Sequence, residues 1–120
     1  MATHQSNSQK PNIVLMYADD MGYGDFGAFN DQVHTPVLDQ LMGESLRLSH
    51  HYAGSPVCSP SRAALLTGRY PIRTGAITPQ ETLGMDRIAL SEVTIADTFR
   101  AGGYATGMVG KWHNGALDPR

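Results

Sequence analysis

Three short stretches carry the side chains that could do chemistry. The first is Val57-Cys58-Ser59-Pro60-Ser61-Arg62-Ala63-Ala64-Leu65-Leu66-Thr67-Gly68-Arg69, which holds the one cysteine of the chain. Its pattern predicts a helix. Ser59 is a capping type, Pro60 suits the first helical position, and Ala63 to Leu66 are good helix formers. Gly68 ends the run. Cys58 then lies just outside a helix N-terminus, where backbone N–H groups and the helix dipole favour negative charge. Arg62, four residues on, reaches the same turn. The result is an anion site holding one reactive side chain. By itself Cys58 also reads as a small buried hydrophobe or as a thiolate nucleophile of lowered pKa.

The second stretch is Asp19-Asp20, adjacent carboxylates at the end of an apolar run. A turn cap is the plain reading. Two like charges so close need a cation or strong donors to stay ionised in a partly enclosed site, and a hard divalent ion with oxygen ligands would serve. The third is Gly110-Lys111-Trp112-His113. Lys111 offers a fixed positive charge and His113 a proton carrier near neutral pH. On a continuing strand both would point to one side. A solvated loop end is the plain reading of this pair, and packing that of Trp112.

These stretches need elements to position them. Ile13 to Ala18 is a continuous apolar run, as expected of a central strand buried on both faces of a parallel sheet. Leu46 to Tyr52 and Tyr104 to Val109 predict two further strands. Thr35-Pro36 opens a helix carrying Val37, Leu38, Leu41 and Met42, with Gly43 weakening its end. Ser91 to Arg100 predicts a helix capped at Ser91 or Thr94, with Ile95, Ala96 and Phe99 inward and Gly102-Gly103 as its stop. Tyr70 to Ile88 lacks periodicity and reads as irregular surface or a substrate-facing loop. Strands alternating with helices imply an α/β layer with a largely parallel sheet. Ligands of such sheets bind at the carboxyl ends of strands. Asp19-Asp20, Lys111 and His113 fall at such ends, and Cys58 at a helix start, so all could meet on one rim.

Composition narrows the class. A length of 120 residues suits one domain at most. The net charge of −2 gives no reason to expect nucleic acid as a partner. A single cysteine excludes an internal disulfide framework. No apolar run approaches the roughly 18 residues of a membrane helix, so no membrane partner is expected. Residues 1–10 form a polar lead-in, expected to be disordered, with no apolar core of a secretory signal. A cytoplasmic location is the expectation on that ground.

The three stretches together resemble the type I sulfatases. The resemblance runs through Pro11-Asn12-Ile13-Val14-Leu15 and Ala18-Asp19-Asp20-Met21-Gly22-Tyr23-Gly24-Asp25. It continues through Cys58-Ser59-Pro60-Ser61-Arg62 to Arg69 and Gly107-Met108-Val109-Gly110-Lys111-Trp112-His113, in the family's order. The nearest flavour is the branch of arylsulfatase A and N-acetylgalactosamine-6-sulfatase. The resemblance implies an α/β, alkaline-phosphatase-like fold, with 11–120 as the N-terminal portion of a catalytic domain. It implies a sulfuric ester hydrolase acting on aryl or carbohydrate sulfates. It further implies that a formylglycine-generating enzyme oxidises Cys58 to formylglycine, and that Asp19, Asp20 and the modified Cys58 ligate calcium. Arg62, Lys111 and His113 complete the implied catalytic set.

The chain also departs from the family. Members are several times longer, and their remaining calcium and sulfate ligands lie downstream of any residue here. Asn114 stands where an apolar residue is common. The expectation is a truncated N-terminal piece that is inactive by itself. Two alternatives stay in view: a catalytically inert relic, and a phosphatase or phosphodiesterase of the same superfamily. Gly22-x-Gly24-x-x-Gly27 matches a dinucleotide-binding pattern, but its context fails. No helix starts there, and Asp19 and Asp20 would face a pyrophosphate.

Overall fold

The computed structural model describes residues 10–79 and 87–115. The expected lead-in therefore lies outside the described residues except for Lys10, as do 80–86 of the expected irregular loop. Among the described residues three α-helices form: α1 (Pro36–Glu44), α2 (Cys58–Thr67) and α3 (Ile95–Ala101). Single turns of 3₁₀ helix occupy Tyr23–Asp25 and Pro71–Arg73. None of the helices among the described residues is long and apolar enough to cross a membrane.

Each helix starts and stops for a local reason. Pro36 takes the first position of α1, where a missing N–H costs nothing. Thr35 spends its hydroxyl on tertiary bonds, accepting from the Gly27 N–H at 2.7 Å and donating to Asp39 Oδ1 at 2.8 Å. The helix continues through Gly43 to Glu44. At α3, Thr94 and Asp97 form a capping box, with the Thr94 Oγ1 accepting from the Asp97 N–H. That fixes the start at Thr94 rather than Ser91. Tyr104 N–H returns to Phe99 O at 3.0 Å, and the Phe99 and Tyr104 rings meet edge-on.

The α2 start differs from the sequence expectation. Val57 is the cap residue and the Ser61 N–H already bonds to Val57 O at 3.1 Å, so Cys58 is the first residue of the helix. Pro60 is then the third residue, which is tolerated because the first three N–H groups of a helix have no intrahelical acceptor. Ser59 does not cap; its side chain is fully buried. Gly68 stops the helix as expected, at φ 66° with its N–H on Ala64 O at 2.8 Å.

The three expected strands do not form among the described residues, and with them the parallel sheet is not seen there. The reason is that a strand is a paired object: its N–H and C=O groups need a neighbouring ladder. The segment 13–19 is nevertheless extended in side-chain pattern. Ile13, Leu15, Tyr17 and Asp19 line a cleft of about 850 Å³ together with Leu65 and Leu66 of α2 and Ile95 and Phe99 of α3. Val14 and Met16 face away, and Val14 is 82% exposed. Residues 104–112 line the same cleft.

Burial concentrates around α2. Ala63, Ala76 and Ile88 make the buried apolar cluster, with Leu66 packed against it. Thr74 is fully buried beside them. Its Oγ1 donates to Pro71 O at 2.8 Å, and its carbonyl accepts from the Ala89 N–H at 2.7 Å. The described part of 70–88 is thus not simply surface; it supplies most of the core. Elsewhere the chain is open. The Cα radius of gyration is 18.1 Å, against about 14 Å for a compact chain of this length.

Candidate active site

The site is built where the first turn of α2 meets the ends of the two extended segments. Arg62 is the hub. Its side chain is 9% exposed. Its Nη2 pairs with Asp19 Oδ1 at 3.1 Å, and its Nη1 donates to the Lys111 carbonyl at 2.7 Å. Its guanidinium lies 5.4 Å from the centroid of the Tyr17 ring. Lys111 Nζ donates to the other carboxylate oxygen, Asp19 Oδ2, at 2.7 Å. Three segments distant in sequence are thereby tied at one carboxylate.

The electrostatics follow from that tie. Hydrogen bonds from Lys111 and then Arg62 hold the Asp19 carboxyl below its usual pKa. Asp19 in turn raises the Lys111 ammonium above its usual value, and the nearby Cys58 adds to the effect. Asp19 is therefore a carboxylate and Lys111 an ammonium across the neutral range. Cys58, half-buried with a free thiol, sits within electrostatic reach of that ammonium. As the first residue of α2 it also lies at the positive end of the helix dipole.

The structure thus brings together Asp19, Arg62, Lys111 and Cys58, four of the six residues singled out from sequence. Asp20 is exposed and takes no ion pair among the described residues. His113 is half-buried two residues beyond Lys111. The expectation that Lys111 and His113 share one side of a strand is corrected. No strand continues there, and His113 has φ 52°, which breaks the alternation. Asp20 has φ 55°. Left-handed backbone is uncommon for residues other than glycine and costs on the order of 1 kcal/mol or more each. Both such residues in the described chain directly follow or closely follow the ion-paired residues.

Sequence reasoning missed three polar residues. The Tyr17 hydroxyl and the Ser61 Oγ are hydrogen-bonded, which ties segment 13–19 to α2 just before the acidic doublet. The period-two pattern of 13, 15, 17 and 19 was the available signal. Asn114 is 3% exposed, and its Nδ2 donates to Trp112 O at 3.2 Å. Buried without hydrogen-bond partners are Ser59 Oγ, Arg62 Nε and Asn114 Oδ1. Such groups are costly unless something supplies the missing bond.

A divalent ion fits this site in donor type. Asp19 and Asp20 are hard oxygen donors of the kind calcium takes. In number they fall short, because calcium takes roughly six to eight oxygens. No group of three His, Cys, Asp or Glu side chains is gathered among the described residues. Both oxygens of Asp19 are engaged by cationic side chains.

Comparison with known proteins gives a consistent answer. The sulfatase family model matches residues 11–119. Arylsulfatase A of Homo sapiens is 48% identical over 113 residues, covering 90% of this chain and 22% of that protein. N-acetylgalactosamine-6-sulfatase of Sus scrofa is 46% identical over 118 residues, covering 89% and 22%. Arylsulfatase H of Canis lupus familiaris is 44% identical over 118 residues, covering 92% and 21%. The chain spans about a fifth of the length of these relatives. No solved structure matches it.

Proposed function

The chain belongs to the sulfatase family, and from that premise we propose that it contributes the nucleophile end of a sulfuric ester hydrolase. The observation that carries the reading is the convergence of Arg62 and Lys111 on Asp19 beside the helix that begins at Cys58. The substrates are sulfate esters of aryl or carbohydrate alcohols, the classes named by the arylsulfatases and N-acetylgalactosamine-6-sulfatase it resembles. In the assembled enzyme the extended segments 13–18 and 104–109 become strands of an alkaline-phosphatase-like α/β sheet.

Cys58 is the modified residue in this reading. Oxidised by a formylglycine-generating enzyme, position 58 would carry an aldehyde, and its hydrate would supply the nucleophilic hydroxyl for sulfuryl transfer. Calcium bound by Asp19, Asp20 and the oxygen at position 58 would lower the pKa of that oxygen. The remaining work belongs to side chains of this chain. Arg62 fixes the position of the first turn of α2 and presents a permanent positive charge. Lys111 adds a second charge where negative charge spreads over the sulfuryl oxygens. His113 exchanges the proton of the departing or re-forming hydroxyl. By itself the chain is inactive in this reading, because two carboxylates leave a calcium shell short.

Two measurements test it. The peptide spanning 57–69, taken from the chain made together with the modifying enzyme, loses about 18 Da when SH and H give way to a carbonyl oxygen. The whole protein that carries this chain hydrolyses an aryl sulfate far faster than the matching aryl phosphate. An unmodified peptide together with preference for the phosphate would replace this reading with the phosphatase one.

A further inference from the structure

We infer that Tyr17 is a positioning residue: its ring holds the plane of the Arg62 guanidinium, so that Arg62 takes one oxygen of Asp19 and leaves the other to Lys111. The inference rests on the reading of Arg62 and Lys111 as residues of the site and adds what keeps them on separate oxygens.

The arrangement is an unusual one for arginine. The guanidinium fork matches a carboxylate with two parallel N–H···O bonds, and such bidentate pairs are frequent. Arg62 gives Asp19 only one. Its Nη2 stands 3.1 Å from Asp19 Oδ1, and its Nη1 is spent on the Lys111 carbonyl at 2.7 Å. Its Nε is buried with no hydrogen-bond partner among the described residues, and a buried donor left unpaired is costly. Nε and Nη2 share one edge of the guanidinium. A turn of the plane would bring Nε toward Asp19 Oδ2 and satisfy that donor. The oxygen it would take is the one that Lys111 Nζ holds at 2.7 Å. Something therefore keeps the plane from turning.

Tyr17 is placed to do so. It stands two residues before Asp19 on an extended segment, and both line the same cleft. The Arg62 guanidinium lies over the Tyr17 ring, 5.4 Å from its centroid, within the range of a cation–π contact. The ring is itself fixed, because the Tyr17 hydroxyl is hydrogen-bonded to the Oγ of Ser61, the residue before Arg62. Hydroxyl and ring thus have separate tasks. The hydroxyl sets the spacing between the segment and the first turn of α2. The ring sets the orientation of the charge that follows. No other contact does this second task. The Nη1 bond is a single pivot that leaves rotation open. Lys111 is 45% exposed in its side chain, and its ammonium is a point charge on a flexible stem.

The test is side-chain NMR of the 120-residue chain, read at Lys111 and Arg62. Tyr17→Leu removes the ring. Arg62 then turns onto both oxygens, Lys111 is displaced, and the Lys111 side-chain order parameter falls. A coupling across the new hydrogen bond joins Arg62 Nε to Asp19 Cγ, where wild type has none. Tyr17→Phe keeps the ring and loses only the bond to Ser61; its urea midpoint drops, yet Lys111 stays as ordered as in wild type. Gly68→Ala, destabilising at the far end of α2, also leaves Lys111 ordered. A Lys111 that keeps its order in Tyr17→Leu overturns the inference. So does an equal release in Tyr17→Phe or Gly68→Ala, which would assign the effect to the hydroxyl or to stability alone. If Tyr17→Leu does not fold, the wild type decides: cross-relaxation between the Tyr17 ring protons and the Arg62 Nε–H supports the stacking, and its absence overturns it. No readout depends on hydrolysis, so failure here leaves the sulfatase reading standing, and failure of that reading leaves these signals as they are.

Discussion

The first turns of α2 and the segment 13–16 invert the usual relation between polarity and burial. Ser59, Pro60, Ser61 and Arg62 are buried, while Ile13, Val14, Leu15 and Met16 are all more than half exposed. The difference is one of partners. Ala63, next in α2, packs with Ala76 and Ile88, which arrive from a neighbouring irregular segment. Segment 13–16 has its alternate side chains over α2 and α3, and no ladder beside it among the described residues. Hydrophobic content says that a segment wants cover; it does not supply the cover. Of the chemistry-bearing residues, Arg62 sits on the covered side of that divide, and it holds the exposed Asp19 and Lys111 to it.

Breaking the covered side should cost most. Arg62→Ala removes a buried guanidinium that serves Asp19, the Lys111 carbonyl and the Tyr17 face. A loss of about 3 kcal/mol is expected, the scale for removing one member of a buried charged network; urea unfolding of the 120-residue chain measures it. Next comes Gly54→Ala. The added Cβ would stand 2.5 Å from the Ala64 Cβ, and forcing the loop off α2 costs about 1–3 kcal/mol. Gly68→Ala tests the helix stop alone. The site is open, but φ is 66°, so the cost is about 1 kcal/mol.

Acid should sharpen the contrast more gently. Asp19 is held below its ordinary value of 3.8. A depressed carboxyl contributes stability that is present above that value and is lost as pH falls through the folded one. The urea midpoint therefore declines on the acid side, and Asp19→Asn flattens that decline. The smallest effect belongs to the bare side. Val14→Thr, at a position 82% exposed, should change stability by less than about 0.5 kcal/mol. A loss of 2 kcal/mol there would mean that the segment is covered after all and would erase the contrast.

Helix ends were legible because their determinants are local. Pro36 at a first position, Gly68 in the left-handed region and the Thr94–Asp97 box each act within one turn. The start of α2 was misplaced by two residues because Ser59 is a capping type whose side chain is buried instead. The core residues Thr74, Ala76 and Ile88 were not legible, since they belong to no periodic element. Strands were over-read from apolar runs alone, as their formation depends on a second segment that sequence pattern does not name. The meeting of Asp19, Arg62 and Lys111 was anticipated from their places at segment ends. The left-handed backbone at Asp20 and His113, and the burial of Asn114, have no sequence signature.

The bond between Tyr17 and Ser61 falls two residues before Asp19 and one before Arg62. Upstream of it the segment is held again at Lys10, whose Nζ donates to Gly102 O and lies over the Tyr104 ring. The segment is thus a rope made fast at two cleats, with the bare apolar stretch strung between them. A pull on that stretch reaches the Tyr17–Ser61 bond before it reaches the carboxylate.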